Sequence, residues 1–173
     1  MPMREAVAAR ITKAQGVGSD ARGKPGPRQV TVLTRAGWEA ACAEIGIGYL
    51  PWTMRRANLL VDGVELKGKI GYDLHVGDAV LAITGETRPC ERMNQAQPGL
   101  RAALRHDWRG GVTCRVVRSG NVSSECAVVL RRSIPRQAAR IAYLRARRLV
   151  KAGRRLASGL ARRLGIKRRT SRA

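Results

Sequence analysis

The sequence predicts a mainly β domain, a small and mostly antiparallel barrel or sandwich with one or two short helices, followed by a basic helical extension. Three observations predict it. About seven short apolar or alternating segments are separated by Gly, Asp, Asn, Ser and Pro clusters. Only one segment ahead of Arg132 has a good helical period. Beyond Arg132 alternation stops and a helical repeat begins.

In chain order, Val7, Ala9 and Ile11 alternate as a short strand. Gly16–Arg28 is a Gly/Pro/Lys/Arg-rich loop. Gln29-Val30-Thr31-Val32-Leu33 is β-branched and reads as a second strand. Trp38, Ala41, Cys42 and Ile45 then recur at helical spacing between a cap at Thr34 and Gly46, predicting a helix over 35–45. Leu59-Leu60-Val61, the turn pair Asp62-Gly63, and Val64 with Leu66 predict a hairpin. Leu74–Val76 and Ala79–Thr84 flank Gly77-Asp78 and predict a second one. Gly99–Leu104 suits a helical turn. Val112–Val117 and Ala127–Leu130 supply the closing strands, with a turn at Ser119-Gly120-Asn121. The expected division is 1–132 for the β domain and 133–173 for the extension.

The extension carries most of the charge imbalance. Residues 131–173 hold 16 of the 34 Lys and Arg and none of the 12 acids, which leaves a net of +6 on the other 130 residues. That is ordinary for a domain that takes an anionic ligand. In the extension, Ile141, Leu149, Ala152, Leu156, Leu160 and Leu164 share one helical face and Arg140, Arg147, Lys151, Arg154 and Arg162 the other. Gly153 and Gly159 each weaken such a helix by ~1 kcal/mol. Sixteen cations without an anion favour a polyanion, either nucleic acid or an anionic membrane surface, and the apolar stripe tilts the choice towards the membrane surface or a partner protein. The localisation expected is cytoplasmic, peripheral at the membrane through 133–173. An RNA-binding barrel is disfavoured, because Phe is absent and aromatics are 3% of the chain, too few for a base-stacking platform.

Four widely spaced cysteines, no CxxC pair, two histidines and no apolar leader argue for reduced thiols, against a secreted disulfide framework and against a structural zinc site. No run reaches the ~18 apolar residues of a membrane span.

The chemistry centres on Thr84-Gly85-Glu86-Thr87-Arg88-Pro89-Cys90-Glu91-Arg92-Met93, which sets a thiol just past a strand end between two arginines. Such surroundings favour the thiolate, the form that ligates metals and attacks electrophiles. Taken alone, the segment suits a small buried hydrophobe as well as a reactive thiol. Trp52 and Trp108 read as packing residues, and His75 and His106 have no evident role.

A wider pattern accompanies Cys90: Asp20-Ala21-Arg22-Gly23 within Gly16–Arg28, Arg28-Gln29-Val30-Thr31-Val32-Leu33, Leu50-Pro51-Trp52-Thr53-Met54-Arg55-Arg56-Ala57-Asn58-Leu59, Gly77-Asp78, Thr87–Met93 and Arg109-Gly110-Gly111-Val112. In this order and spacing, residues 16–130 resemble the MOSC family, related to the C-terminal part of molybdenum cofactor sulfurases. The resemblance implies a MOSC-type β-barrel and a site for the molybdenum–pterin cofactor. In several relatives it also implies reduction of N-hydroxylated substrates.

By that resemblance Cys90 ligates molybdenum or carries sulfur, and Arg56 and Asn58 form a cofactor-contacting Arg-x-Asn pair. The physical chemistry agrees: soft thiolates suit covalent metal centres, and the pterin phosphate calls for multi-donor cations. Arg55, Arg56, Arg22, Lys24 and Arg28 supply these, with Arg88 and Arg92 flanking the thiol. Asn58 offers donor and acceptor to the pterin edge, or caps a turn through its own backbone.

Two departures from the family stand out. Ser19 replaces a glycine that eases the anion-binding loop, and Glu125-Cys126 replace a Gly-Asp turn. The expected activity is a molybdenum-dependent reductase of N-hydroxylated or N-oxide substrates. No heme, flavin or iron–sulfur motif is present, so an external electron-donor protein is expected. The alternatives are a sulfur carrier or cofactor-delivery protein using a Cys90 persulfide, any pyridoxal phosphate step lying in a sulfurase partner, and a basic RNA- or membrane-surface-binding protein acting through the extension.

Overall fold

A computed structural model describes residues 3–18, 20 and 23–133. The helical extension expected at 133–173 falls beyond them, apart from Ser133, and so does Arg22. Nine strands and three short α-helices make up the described fold. The strands are β1 (Ala8–Thr12), β2 (Gly16–Val17), β3 (Val30–Thr34), β4 (Leu59–Val61), β5 (Tyr72–Val76), β6 (Ala79–Glu86), β7 (Val112–Arg118), β8 (Gly120–Ser123) and β9 (Val128–Arg132). The helices are α1 (Arg35–Glu44), α2 (Arg92–Ala96) and α3 (Leu100–Ala103).

The strands form a three-stranded sheet, β2-β1-β8, and a six-stranded sheet, β4-β3-β7-β6-β5-β9, a mainly β architecture that curls as a half-barrel. All pairings are antiparallel except β3 with β4, where Val32, Leu33 and Thr34 face Leu59, Leu60 and Val61. Central strand β6 is buried through its first five residues, so it reads as a continuous apolar run.

Helix α1 forms where its period places it. The Thr34 hydroxyl accepts from the Gly37 amide at 3.2 Å, satisfying one of the unpaired amides of the first turn. Its buried face, Trp38, Ala41 and Cys42, packs with Leu33, Met93, Leu100 and Leu104 into a core that joins α1 to α2 and α3.

Three local expectations are corrected. The Asp62-Gly63 hairpin does not form: β4 pairs in parallel with β3, and the chain beyond it delivers Leu66 and Ile70 to the core. β4 is thus an edge strand of the sheet, and residues 62–71 add no strand beside it. The loop predicted from Gly16 contains a strand at its start, β2, because Gly16 at φ +72 turns Gly16-Val17 back onto Thr12 and Ile11. The turn predicted at Ser119-Gly120-Asn121 shrinks to Ser119. Gly120 onward is β8, which crosses to the other sheet and pairs with β1. A Cβ at Gly120 would lie 2.4 Å from the Asp78 carbonyl carbon, so only glycine permits that crossing.

One buried polar residue holds the two sheets together. The Gln29 amide donates to the carbonyls of Lys13 at 2.7 Å and Gly23 at 3.1 Å, and its oxygen accepts from the Val116 amide at 3.1 Å. Gln29 is buried, so leaving its amide or oxygen unpaired would cost ~1–3 kcal/mol.

Candidate functional site

The segment after β6 leaves the sheet in extended form. The Thr87 amide still donates to the Gly111 carbonyl at 2.9 Å, and burial then alternates: Thr87 and Pro89 face inward, Arg88 and Cys90 outward. The Cys90 carbonyl accepts from the Met93 amide at 3.0 Å, which opens α2 with Met93 anchored in the core. The thiol is therefore solvent-exposed, on a segment pinned at both ends.

Beneath it lies Arg55, at the end of a 3-10 turn, Trp52–Arg55. Its side chain is 9% exposed. Nε donates to the Gly110 carbonyl at 3.1 Å and Nη2 to the Thr87 carbonyl at 3.3 Å, the latter belonging to the Cys90 segment itself. Burial lowers the guanidinium's proton affinity, the neighbouring Cys90 raises it, and neighbouring Arg28 lowers it. No carboxylate pairs with Arg55 among the described residues. A buried cation held only by neutral carbonyls is an incomplete ion pair, a place where an anion is favoured. Thr87 adds a second unmet group, since its hydroxyl is buried and without a hydrogen-bond partner.

Arg56 adopts the left-handed region at φ 57, ψ 36, rare for a side chain larger than glycine. That twist turns Arg55 in and Arg56 out to solvent, with Ala57 buried again. Asn58 is committed to structure on its oxygen, which accepts from the Thr31 amide at 2.9 Å and the Thr31 hydroxyl at 2.8 Å. Its Nδ2 donates to Asp20 at 2.6 Å. This cross-strand clamp differs from the local turn cap considered for Asn58. It leaves one amide hydrogen for anything else.

Lys24 and Arg28 are exposed on the loop leading to β3, and Arg88 and Arg92 are exposed on either side of Cys90. Residues whose importance the sequence reading missed are Thr87, Asp20 and Gln29. The alternation of Thr87-Arg88-Pro89-Cys90 beyond a strand end was the available signal for Thr87.

Among the described residues no group of three or more His, Cys, Asp or Glu is arranged to hold a metal, so Cys90 stands as a single candidate protein ligand. A cleft of about 470 Å³ opens at the start of α1 between the 62–67 loop and Asp107-Trp108-Arg109, and its walls include none of the candidate residues.

A family model for the MOSC domain matches residues 20–129. Similar solved structures include the YUAD protein from Bacillus subtilis, 19% identical, covering 75% of this chain and 87% of that one with a TM-score of 0.62. YiiM from Geobacillus stearothermophilus is 15% identical over 71% of this chain, TM-score 0.55, and YiiM from Escherichia coli is 18% identical over 71%, TM-score 0.55. The matched region spans 60% and 61% of those two YiiM chains. At these identities the likeness concerns the fold. No curated protein matches the chain.

Proposed function

Because this chain belongs to the MOSC domain family, we propose that it holds a molybdenum–pterin cofactor through Cys90 and reduces N-hydroxylated or N-oxide substrates with electrons from a separate donor protein. The observation that carries this reading is the exposed Cys90 thiol above buried Arg55, whose charge no described carboxylate answers.

The donor set fits the group. A single accessible cysteine sulfur suits a soft, covalent centre that brings its other ligands with it. Arg55, Arg28 and Arg56 balance the anionic pterin phosphate, with Lys24 on the adjoining loop and Arg88 and Arg92 beside the thiol, and Arg22, outside the described residues, is a further cation for the same role. Asn58 reaches the pterin through its remaining amide hydrogen, because its oxygen is taken by Thr31. The unpartnered Thr87 hydroxyl supplies a further buried donor. When bound, the cofactor supplies the redox centre. The net reaction consumes two electrons and two protons and releases water, replacing the N–O bond by N–H in an N-hydroxylated substrate and leaving a nitrogen lone pair in an N-oxide.

The exposure of Cys90 equally suits a persulfide carrier, for which an open thiol is the requirement. In that second reading a sulfurase partner provides any pyridoxal phosphate chemistry. The basic segment 133–173 is proposed to hold the protein at an anionic membrane surface. No helix among the described residues is long and apolar enough to cross a membrane. Salt-dependent binding of the full chain to anionic vesicles, compared with binding to RNA, tests that assignment.

The central test compares the full chain with Cys90→Ala, each purified from cells that synthesise the molybdenum cofactor, for molybdenum and pterin content. Loss of both in the variant is expected, and equal loading would remove Cys90 from the site. Loaded protein that fails to reduce an N-hydroxylated substrate with a chemical electron donor would favour the carrier.

A further inference from the structure

A second cavity, of about 190 Å³, lies between α1 and the Gly48–Trp52 segment, and none of the residues assigned above lines it. Trp38, Tyr49 and Trp52 line its walls, half of the six aromatic residues in the chain. Trp38 is fixed in place, its indole N–H donating to the Leu50 carbonyl at 2.8 Å. Tyr49 is 79% exposed, a large ring for which folding supplies no cover.

The charges beside these rings are acidic. Glu5 and Glu39 line the cavity. The one cation among the described residues lining it, Arg35, is paired, its Nε bonded to Asp62 at 2.8 Å. Cys42 completes the wall. Burial pushes its thiol up, a backbone hydrogen bond from Leu50 opposes this, and the Glu39 charge adds to the rise. In a chain of net charge +22, three aromatic residues beside two carboxylates form a local inversion of sign.

We propose that this cavity binds a compact organic cation of the alkylammonium class. Aromatic rings present negative faces to a desolvated cation, and the carboxylates supply the counter-charge. The volume is below the ~300 Å³ where drug-sized pockets begin, so the ligand is one small, bulky head rather than an extended molecule. A neutral ligand of the same shape would meet the same rings without the charge term. An anion would be repelled locally even though the protein as a whole attracts it.

The test titrates the full-length protein with three probes of nearly one shape: choline, 3,3-dimethylbutan-1-ol and 3,3-dimethylbutanoate. Tryptophan fluorescence reports on Trp38 and Trp52, and calorimetry checks the affinities. Choline is expected to bind about tenfold more tightly than the alcohol, and the carboxylate most weakly. Glu5→Gln combined with Glu39→Gln should bring choline to the level of the alcohol. Tyr49→Ala, at an exposed position that folding does not depend on, should weaken choline several-fold. Equal binding of choline and alcohol, preference for the carboxylate, or no saturable signal up to about 10 mM choline would overturn the proposal.

Discussion

The Nε of Arg55 donates to the carbonyl oxygen of Gly110 at 3.1 Å, so a side chain from a 3-10 turn fastens the glycine pair behind the Cys90 segment. Gly111 next to it sits at φ +90, and a Cβ there would lie 2.3 Å from the Val32 carbonyl oxygen. Arginine and glycines together hold the segment close to the sheet.

Arg55→Met is expected to cost about 2 kcal/mol in urea unfolding, because two carbonyls lose their donor while the burial of a charge is relieved. Arg55→Lys should recover less than half, since one ammonium does not reproduce the planar fork that reaches both Gly110 and Thr87. A variant as stable as the wild type would mean those bonds contribute nothing.

Asn58→Ala removes the acceptor for two Thr31 donors and the donor to Asp20, and a loss of about 2–3 kcal/mol is expected. Asn58→Asp keeps the Thr31 bonds but sets a second carboxylate against Asp20, so it should destabilise as well. Thermal melts of both variants decide whether Asn58 is structural before any cofactor measurement is interpreted.

Alkylation of the native protein, followed by mass spectrometry, should label Cys90 first and Cys126 more slowly. Cys42 and Cys114 should react only on unfolding, in keeping with exposed, half-buried and buried positions respectively. Rapid labelling of Cys114 would contradict its place between β3 and β6 in the sheet.

Burial pushes the Cys114 and Cys42 thiols up, which fixes the sign of an alkaline effect. Above about pH 8.5 the unfolded chain releases these protons while the folded chain keeps them, so stability is full below that pH and falls as pH rises. Each thiol contributes a slope of up to about 1.4 kcal/mol per pH unit. Urea melts between pH 8 and 10 should show a shallower decline for Cys114→Val, and an unchanged slope would refute the assignment.

Elements with a local signal were legible. Thr34 capping α1 and the Gly77-Asp78 turn joining β5 to β6 both depend on residues adjacent in the chain. Elements defined by a distant partner were not. β2 is two residues long and exists because Ile11 and Thr12 accept it, and β8 exists because β1 lies beside it. Asp62-Gly63 has the composition of a hairpin turn, but the chain beyond it forms no strand and instead delivers Leu66 and Ile70 to the core. At the site, the pattern around Cys90 located the thiol. The inward turn of Arg55 depends on the left-handed backbone at Arg56, which composition does not announce. The pairing of Asn58 with Asp20 spans 38 residues and left no local trace.

Strand order also governs how the polypeptide matures during synthesis. Ala8 stands opposite Ser123, and β3 takes its antiparallel partner from β7, so the earliest strands wait for the latest ones. A ribosome-bound chain can close the β5–β6 hairpin early, but it must hold one edge of β1 and one edge of β3 open until most of the domain has emerged. Such non-local closure is slow and leaves unpaired edges in the nascent state, which makes the interval before β7 and β8 appear the period of greatest aggregation risk for this protein.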